Sequence, residues 1–215
     1  MRVGKKEREF RSRLLEWVSS PKRDFPWRHD IDPYRILVTE KLLQQTTYGH
    51  VMKVHELFFE EFPDIDTLAK AQTSDIEDVI KRLGFQRQRS RQLKEMGLML
   101  LEVHKGVVPS NKDDLLKLPG IGDYVADAAL CFAFNKDVPI VDMNVRRVVG
   151  RCLGWKKTSY KELERGLRKI IPRGAAKTFN WGIIDFSALI CSRKPKCRLC
   201  FLSDLCSYFG ETHAG

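Results

Sequence analysis

The chain has 215 residues, 43% of them hydrophobic, and a formal net charge of +10. A chain of this length can bury a sizeable core, so we expect one compact domain or two small lobes. The excess of lysine and arginine favours a polyanionic partner, because cations that neutralise phosphates release condensed counter-ions. No apolar run approaches the roughly 20 residues that span a bilayer, and the charged N-terminus has no signal-peptide core. We therefore expect a soluble, cytoplasmic protein without a membrane partner.

Most of the chain has the periodicity of amphipathic helices. Apolar residues recur at helical spacing in the runs that begin with ILVTEKLL, SDIEDVI, RSRQLKEM and YKELERGL. Glycine and proline fall mainly between these runs, in short segments typical of turns. The one candidate strand, DVPIVDM, is equally compatible with an extended loop that enters a helix. The sequence therefore predicts an all-α fold.

The first strongly apolar helix contains a lone carboxylate and ends in two polar residues. Glu40 lies in ILVTEKLLQQTT, where an isolated glutamate is usually exposed or paired. Gln44 and Gln45 follow at the end of the same run, and a solvated helix end explains both of them. The loop GFQRQRSR, with Gln86 and Arg87, has the same simple explanation. None of these residues indicates a function by itself.

Two glycines in LPGIGDY mark a tight turn between two helical runs. Leu115 and Leu116 predict the apolar face of a first helix, which Pro119 ends. Gly120 and Gly122 then allow a hairpin that other residues would strain. Such a turn points backbone N–H groups outward at the start of the second helix, where a DNA phosphate is favoured by those donors and by the helix dipole. An ordinary corner between two helices is the alternative.

A second carboxylate lies at a junction between an apolar segment and a basic helix. Asp142 is found in PIVDMNVRRVVGR, about 20 residues after the hairpin. An aspartate at such a junction most often caps the helix N-terminus. As with Glu40, the residue alone does not predict catalysis.

Four of the six cysteines crowd into the last 25 residues. They have the spacing C-x5-C-x2-C-x5-C, at Cys191, Cys197, Cys200 and Cys206. Four thiolates this close together can hold one metal centre, either an iron–sulfur cluster or zinc, and the spacing alone does not decide between them. Unliganded thiols so close together would be liable to oxidation. Cys131 and Cys152 stand alone, so the distribution is not that of a secreted disulfide framework.

Four segments, taken in order along the chain, resemble one known family. RDFPWRHDIDPYRILVTEKLLQQTT, LPGIGDY, VDMNVRRV and DFSALICSRKPKCRLCFLSDLC resemble helix-hairpin-helix (HhH-GPD) DNA glycosylases that carry an iron–sulfur cluster. The resemblance extends from about Asp24 to Cys206. It is strongest to the archaeal type of G:T mismatch (thymine) glycosylase, and next to adenine glycosylases of the MutY type. Endonuclease III is more distant.

The resemblance implies a two-lobe, all-α helix-hairpin-helix glycosylase fold with a C-terminal [4Fe-4S] cluster loop. In that fold, residues 24–134 form a six-helix lobe that contains the hairpin. Residues 1–23 and 135–215 form a discontinuous iron–sulfur lobe. The active site of the family lies in the cleft between the lobes, where Tyr124, Asp142 and Glu40 would converge.

The implied chemistry is cleavage of an N-glycosidic bond. This reaction develops positive charge on the deoxyribose and negative charge on the departing base, so a fixed carboxylate near C1′ favours the transition state. We expect Asp142 to stabilise the sugar, to assist water attack or to attack the sugar itself, with Asn144 positioning the site. Glu40 would act on the base through hydrogen bonding or proton transfer, with a pKa raised by its apolar setting.

Two positions depart from the family pattern. Bifunctional relatives have a lysine two residues after the second hairpin glycine, where it forms a Schiff base with the sugar, whereas this chain has Tyr124. The implied activity is therefore a monofunctional glycosylase that leaves an abasic site, and a lyase is disfavoured. The first gap between cysteines has five residues where these families usually have six, which tightens the loop SRKPK.

The resemblance also implies which residues bind DNA. Flipping a base out of the duplex costs least at a mismatch, and a wedge has to fill the gap that it leaves. We expect the protein to bind mismatched double-stranded DNA as a monomer, in the nucleoid of a prokaryotic cell. The expected DNA-binding residues are Gln44 and Gln45 as the wedge, Gln86 and Arg87 as a second wedge, the hairpin glycines Gly120 and Gly122, and the basic loop residues Arg193, Lys194 and Lys196.

The target base follows from two aromatic positions. Tyr48 and Trp181 lie where thymine and adenine relatives differ, and bulky rings there favour a pyrimidine in the pocket unless both rings pack into the core. Nine residues follow Cys206, which leaves no room for the C-terminal domain that recognises 8-oxoguanine in MutY-type enzymes. We therefore expect removal of thymine or uracil opposite guanine. Two alternatives stay open: an adenine glycosylase acting on G:A or 8-oxoguanine:A pairs, which Gln44 and Gln45 match better, and a non-catalytic, metal-containing DNA-binding module.

Overall fold

The structure, a computed structural model, describes residues 3–20, 22–156 and 158–213. Helices make up its regular secondary structure, and no strand occurs in these ranges, so the all-α prediction is confirmed. The segment DVPIVDM is an extended loop that enters a helix. The α-helices are α1 Lys5–Trp17, α2 Pro33–Leu43, α3 Tyr48–Met52, α4 His55–Glu61, α5 Ile65–Lys70, α6 Thr73–Ile80, α7 Gln86–Glu102, α8 Lys112–Leu115, α9 Asp123–Phe132, α10 Met143–Cys152, α11 Tyr160–Ile170, α12 Ala176–Leu189 and α13 Ser207–His213.

The chain divides into two compact units. One consists of Phe25–Phe134 and is called the hairpin unit below; the other consists of Met1–Asp24 together with Asn135–Gly215 and is called the terminal unit. Across the described ranges, no helix combines the length and the apolar character needed to cross a membrane.

Helices α2 and α9 form the centre of the hairpin unit. Asp32 caps α2 by accepting a hydrogen bond from the Tyr34 backbone N–H, and Pro33 occupies the first helical position, so the helix begins sharply. Both helices are buried along most of their length, and the small side chains of α9 allow α2 to approach closely. Helices α5 and α6 pack on α7 in the same unit. Polar residues of α2 are therefore carried into the interior.

In the terminal unit, α12 packs against both α1 and α10. Trp17 at the end of α1 stacks on Phe201, with ring centroids 5.3 Å apart, and meets Phe186 of α12 edge-on. A buried aspartate of α12, Asp185, accepts from Arg23 Nε at 2.6 Å. These contacts join the N-terminal helix to the segment that leads into the cysteines.

The hairpin between α8 and α9 needs only one of its two glycines. Gly120 has φ +73°, in the left-handed region that favours glycine, whereas Gly122 has an extended backbone with φ −105°. The expectation that both positions would strain another residue is therefore wrong for Gly122. Leu116 is also 39% exposed, so it does not belong to the apolar face predicted for α8.

These two glycines give a matched pair of substitutions. A Cβ at position 120 would meet the side chains of Lys41 and Gln92, in a backbone conformation that alanine rarely adopts, while a Cβ at position 122 would meet nothing within 4 Å. Gly120→Ala should lower the free energy of unfolding by about 1–3 kcal/mol, and Gly122→Ala should change it by less than about 0.5 kcal/mol. Urea denaturation of both variants measures this; equal losses would contradict the assignment.

Candidate active site and nucleic-acid interface

Glu40 is a buried carboxyl group with an unusual environment. Its side chain lies on α2 in the core of the hairpin unit, 5% exposed, and its Oε2 atom has no hydrogen-bond partner. Burial raises the pKa of Glu40 to about 7, while a hydrogen bond from Tyr124 and the charge of Arg28 oppose that rise. The side chain is thus buried, whereas a lone glutamate is usually exposed or paired. A carboxyl group with a pKa near neutrality is suited to proton transfer or hydrogen-bond donation.

Tyr124 links Glu40 to the hairpin. It lies in the first turn of α9, directly after the hairpin, and its side chain is half-buried. Tyr124 lies on a helix that packs against the helix of Glu40. Its hydrogen bond with Glu40 therefore orients the Glu40 carboxyl group. A phenol has no amine with which to form a Schiff base, so this position contributes orientation and hydrogen bonding.

Asp142 caps helix α10 in the terminal unit. Its Oδ1 accepts from the Val145 backbone N–H at 2.7 Å, and its Oδ2 accepts from Asn144 Nδ2 at 2.9 Å. The N-cap interpretation is therefore correct as structure. The cap also fixes the carboxylate at the positive end of a helix dipole, with one oxygen held by an exposed amide. A carboxylate fixed in this way is preorganised for electrostatic catalysis.

Arg147 belongs to the candidate site through its contact with Asn144, and it was not expected from the sequence. Its Nη1 donates to Asn144 Oδ1 at 2.9 Å, which orients the amide that contacts Asp142. Its Nε and Nη2 donate to the backbone oxygens of Cys191 and Ser187 at 3.0 and 3.1 Å. One guanidinium thus connects Asp142 and Asn144 to the start of the cysteine segment. The paired arginines in VDMNVRRV were the available signal.

The two glutamines after α2 have different environments. Gln44 is held inward, because its Oε1 accepts from Lys41 Nζ at 2.8 Å and its backbone oxygen accepts from Arg89 Nη2 at 2.8 Å. Gln45 is exposed and has φ +53°, a left-handed conformation that is costly for a residue with a Cβ. Residues 44–46, called the wedge turn below, therefore present Gln45 rather than Gln44 to a ligand.

Phe85 is the second exposed and strained residue of the hairpin unit. It has φ +50° and is 63% exposed, and it lines the same small pocket as Gln45 and Lys41. Arg87, one of the two residues expected in this loop, is exposed and pairs with Glu77 at 3.7 Å, and Gln86 is half-buried. Phe85 was not among the residues expected from the sequence to contact a ligand. An aromatic residue directly after a glycine, at the start of a basic helix, was its signal.

Tyr48 and Trp181 belong to different units and have different surroundings. Tyr48 is half-buried and stacks on Phe25 with ring centroids 4.9 Å apart, and Phe25 stacks in turn on the buried Trp27 at 4.9 Å. Trp181 is half-buried on α12, with the Lys177 ammonium 4.9 Å from its ring centroid. Neither ring is fully buried, so the alternative that both would pack into the core is met only in part.

The four clustered cysteines line one small cavity in the terminal unit. Cys152 lines it too and is hydrogen-bonded with Cys191 and Cys206, so the interpretation of Cys152 as an isolated residue is wrong. These contacts lower the pKa of Cys191 to about 7 and that of Cys206 to about 6, whereas burial raises the pKa of Cys200 to about 11.

Thiolates are the metal-binding form of cysteine. The described ranges contain no group of three or more histidine, cysteine or carboxylate side chains arranged to hold a single metal ion. Four thiols that face a common cavity nevertheless form a donor set that fits a cofactor with four cysteine ligands. The neighbouring basic residues are all exposed; they are Arg193, Lys194 and Lys196.

Comparisons with known proteins agree on one family. A profile of the HhH-GPD superfamily of base excision DNA repair proteins matches residues 38–173. The thymine/uracil-DNA glycosylase of Methanothermobacter thermautotrophicus is 42% identical over 96% of both chains, and the thymine-DNA glycosylase of Aeropyrum pernix is 36% identical over 94% of both. The adenine DNA glycosylase of Mycolicibacterium smegmatis is 35% identical over 88% of this chain and 66% of its own length.

Solved structures give the same result. A thermostable thymine-DNA glycosylase superposes with a TM-score of 0.92 at 42% identity and covers 96% of this chain and 98% of its own. A non-covalent complex of endonuclease III with DNA superposes with a TM-score of 0.85 at 26% identity, over 97% of this chain and 99% of that one. The helix-hairpin-helix fold expected from the sequence is confirmed.

The environment of Glu40 predicts how stability depends on pH. Its folded pKa, about 7, lies above its ordinary value of 4.5, so between these values the native state binds more protons than the unfolded state. The free energy of unfolding should therefore fall as pH rises through this window, by about 3 kcal/mol in total. Glu40→Gln should remove most of this fall.

Urea denaturation at a series of pH values measures this dependence. Glu56→Gln, which replaces an exposed glutamate of the same unit, is the control and should keep the wild-type profile. Identical profiles for wild type and Glu40→Gln would show that the Glu40 carboxyl group is not perturbed.

Proposed function

The chain belongs to the HhH-GPD superfamily of base excision DNA repair proteins and is a DNA glycosylase, and from this premise we propose that it removes thymine or uracil opposite guanine. The observation that carries the proposal is the hydrogen bond between the buried Glu40 and the half-buried Tyr124. It combines a carboxyl group of raised pKa with a phenol at the position of the lyase lysine. The pyrimidine preference is supported by the similarity to the thymine/uracil-DNA glycosylase of Methanothermobacter thermautotrophicus and the thymine-DNA glycosylase of Aeropyrum pernix, and by the ring of Tyr48.

Glu40 acts on the base. Cleavage leaves negative charge on the departing pyrimidine, which its carbonyl oxygens share, so a hydrogen-bond donor beside the base lowers the barrier. A carboxyl group with a pKa of about 7 is protonated in a large fraction of molecules at neutral pH and can donate that bond. Tyr124 fixes its orientation.

Asp142 acts on the sugar. The deoxyribose becomes oxocarbenium-like as the bond breaks, and a fixed negative charge stabilises it. The hydrogen bonds from Val145 and Asn144 hold this carboxylate before substrate binds, and Arg147 holds Asn144. The same carboxylate can accept a proton from attacking water. With no amine at position 124, the reaction ends at an abasic site.

Binding of duplex DNA involves the hairpin, the wedge turn and the basic loop. Phosphate is favoured at the hairpin by backbone donors and the α9 dipole. Exposed Gln45 and Phe85 are suited to enter the duplex, because an amide can pair with the estranged base and an aromatic ring stacks on its neighbours. Arg193, Lys194 and Lys196 contact phosphates without reading sequence. We propose that the protein acts as a monomer.

The cavity of four cysteines would hold a [4Fe-4S] cluster, through Cys191, Cys197, Cys200 and Cys206. When bound, such a cluster supplies a redox-capable centre that also ties together the segment carrying its ligands. The chain's own contribution is the loop between Cys191 and Cys197, which presents its basic residues to solvent. Arg151 supports this loop by donating to the backbone oxygens of Ser192 and Arg193.

Adenine removal from G:A or 8-oxoguanine:A pairs is the second candidate. The adenine DNA glycosylase of Mycolicibacterium smegmatis, at 35% identity, supports it. The glutamines of the wedge turn are compatible with it as well.

A panel of duplexes with one G:T, G:U, G:A or 8-oxoguanine:A pair tests the function under single turnover. We expect excision to be fastest from G:T and G:U, revealed as alkali-labile scission at one position. Fastest release of adenine would select the second candidate.

Asp142→Asn is the matched control, since asparagine also caps helices; it should bind these duplexes while excision falls by roughly 100-fold or more. An unimpaired Asp142→Asn rate would remove Asp142 from the mechanism.

Metal analysis tests the cofactor. Protein purified without oxygen should contain about four iron atoms and four sulfides per chain and absorb near roughly 400 nm. Cys200→Ala should lose this absorption, and Cys131→Ala, which replaces a buried cysteine of the hairpin unit, should keep it. Stoichiometric zinc without iron would contradict the proposal.

A further inference from the structure

Lys41 is a buried ammonium group at the centre of the hairpin unit. It is 4% exposed, and its Nζ donates to Gln44 Oε1, Gln92 Oε1 and the Gly120 backbone oxygen, each at 2.8 Å. These acceptors belong to the wedge turn, to α7 and to the hairpin. One side chain therefore uses all three of its donors to join the two elements that contact DNA in the proposed function.

No carboxylate balances this charge in the part of the chain that the structure describes. Among the groups that face Lys41, Arg89 of α7 is charged and positive, whereas Gln92 and Gly120 present neutral oxygens. Arg89 is 5% exposed, donates to the backbone oxygens of Lys41, Leu42 and Gln44, and has no partner for its Nε. Two neighbouring cations are thus buried together.

This arrangement is expensive in the free protein. Burying a charge without a counter-ion costs far more than burying an apolar side chain of the same size. Burial and the charge of Arg89 lower the pKa of Lys41 to about 8. The cost falls when an anion approaches, and the hairpin, whose Gly120 oxygen touches Nζ, is where a DNA phosphate is expected.

We propose that Lys41 is a positioning residue that holds the wedge turn in register with the hairpin, and that a DNA phosphate bound at the hairpin is its counter-ion. The proposal rests on the proposed function only in its use of DNA as the ligand. Phosphate binding stabilises the ammonium form and with it all three hydrogen bonds. The wedge turn, which Arg89 and Lys41 hold from two sides, is then rigid when Gln45 enters the duplex.

Proton uptake tests the counter-ion. At pH 8.5 most free protein carries neutral Lys41, and bound phosphate raises its pKa, so binding a fully matched duplex should take up a fraction of a proton. Calorimetry in two buffers of different ionisation enthalpy measures this uptake. Lys41→Met should lower it. Lys94→Met is the control and should not, since Lys94 also lies on a helix of this unit but donates to the Ala69 backbone oxygen.

Gln92→Glu is a second test of the counter-ion assignment, and it leaves the hydrogen-bond acceptors of Lys41 in place. A carboxylate in place of the Gln92 amide keeps an acceptor for Nζ and supplies an internal counter-ion. It should therefore abolish the uptake and weaken binding of matched duplex. Uptake that is unchanged in both Lys41→Met and Gln92→Glu would overturn the counter-ion assignment. This outcome is read on matched DNA, so it is independent of whether the protein excises thymine.

A double-mutant cycle tests the positioning role. Lys41→Met and Gln45→Ala should each slow single-turnover excision by roughly 10- to 100-fold. If Lys41 acts through the wedge turn, the double variant should be no slower than the slower single variant. Losses that multiply would overturn the proposal.

Covalent trapping of Lys41 on an abasic site by borohydride would overturn it as well, since Lys41 would then be a catalytic residue. Absence of excision by wild type would instead contradict the proposed function.

Discussion

The burial of helix α2 against α9 is the constraint on which the chemistry of this protein depends. Two adjacent residues of that helix, Glu40 and Lys41, have side chains of opposite charge type, and both are buried. Loss of water around a charge raises the pKa of Glu40 and lowers that of Lys41, and both shifts favour the neutral form of the side chain. The helix therefore brings to the interior a carboxyl group able to donate a hydrogen bond and an ammonium group that favours a nearby anion.

In Asp142, the structural role of a helix cap coincides with the chemical role that we propose for this side chain. The cap that starts α10 fixes one carboxylate oxygen, and the amide of Asn144 fixes the other. No side-chain reorganisation is then required when positive charge develops on a sugar, and this saving is the source of electrostatic catalysis. Glu40 differs from Asp142, because its environment mainly favours the protonated form of the carboxyl group and does not fix both of its oxygens.

Local patterns in the sequence predicted the helices, the hairpin and the cysteine group, because helical periodicity, a proline–glycine turn and close thiol spacing are visible within a few residues. The contacts of Lys41, Phe85 and Cys152 were not predictable in this way. The burial of Lys41 depends on α7 and on the hairpin, and Cys152 meets Cys191 only through the packing of α10 on α12. Lysine side chains usually remain at the surface, so the average behaviour of this residue type does not predict the burial of Lys41.

The strained backbone of the hairpin unit is also connected with its two buried cations, Lys41 and Arg89. Gln45 and Phe85 both have positive φ angles, and both line one pocket together with Lys41 and Arg89. Left-handed conformations of such residues persist only where surrounding contacts stabilise them. Next to Gln45, Lys41 donates to the side-chain oxygen of Gln44 and Arg89 donates to the backbone oxygen of Gln44. These bonds hold the residue before Gln45, so the two buried cations support the strained turn that exposes Gln45, and this turn is part of the surface that we propose contacts DNA.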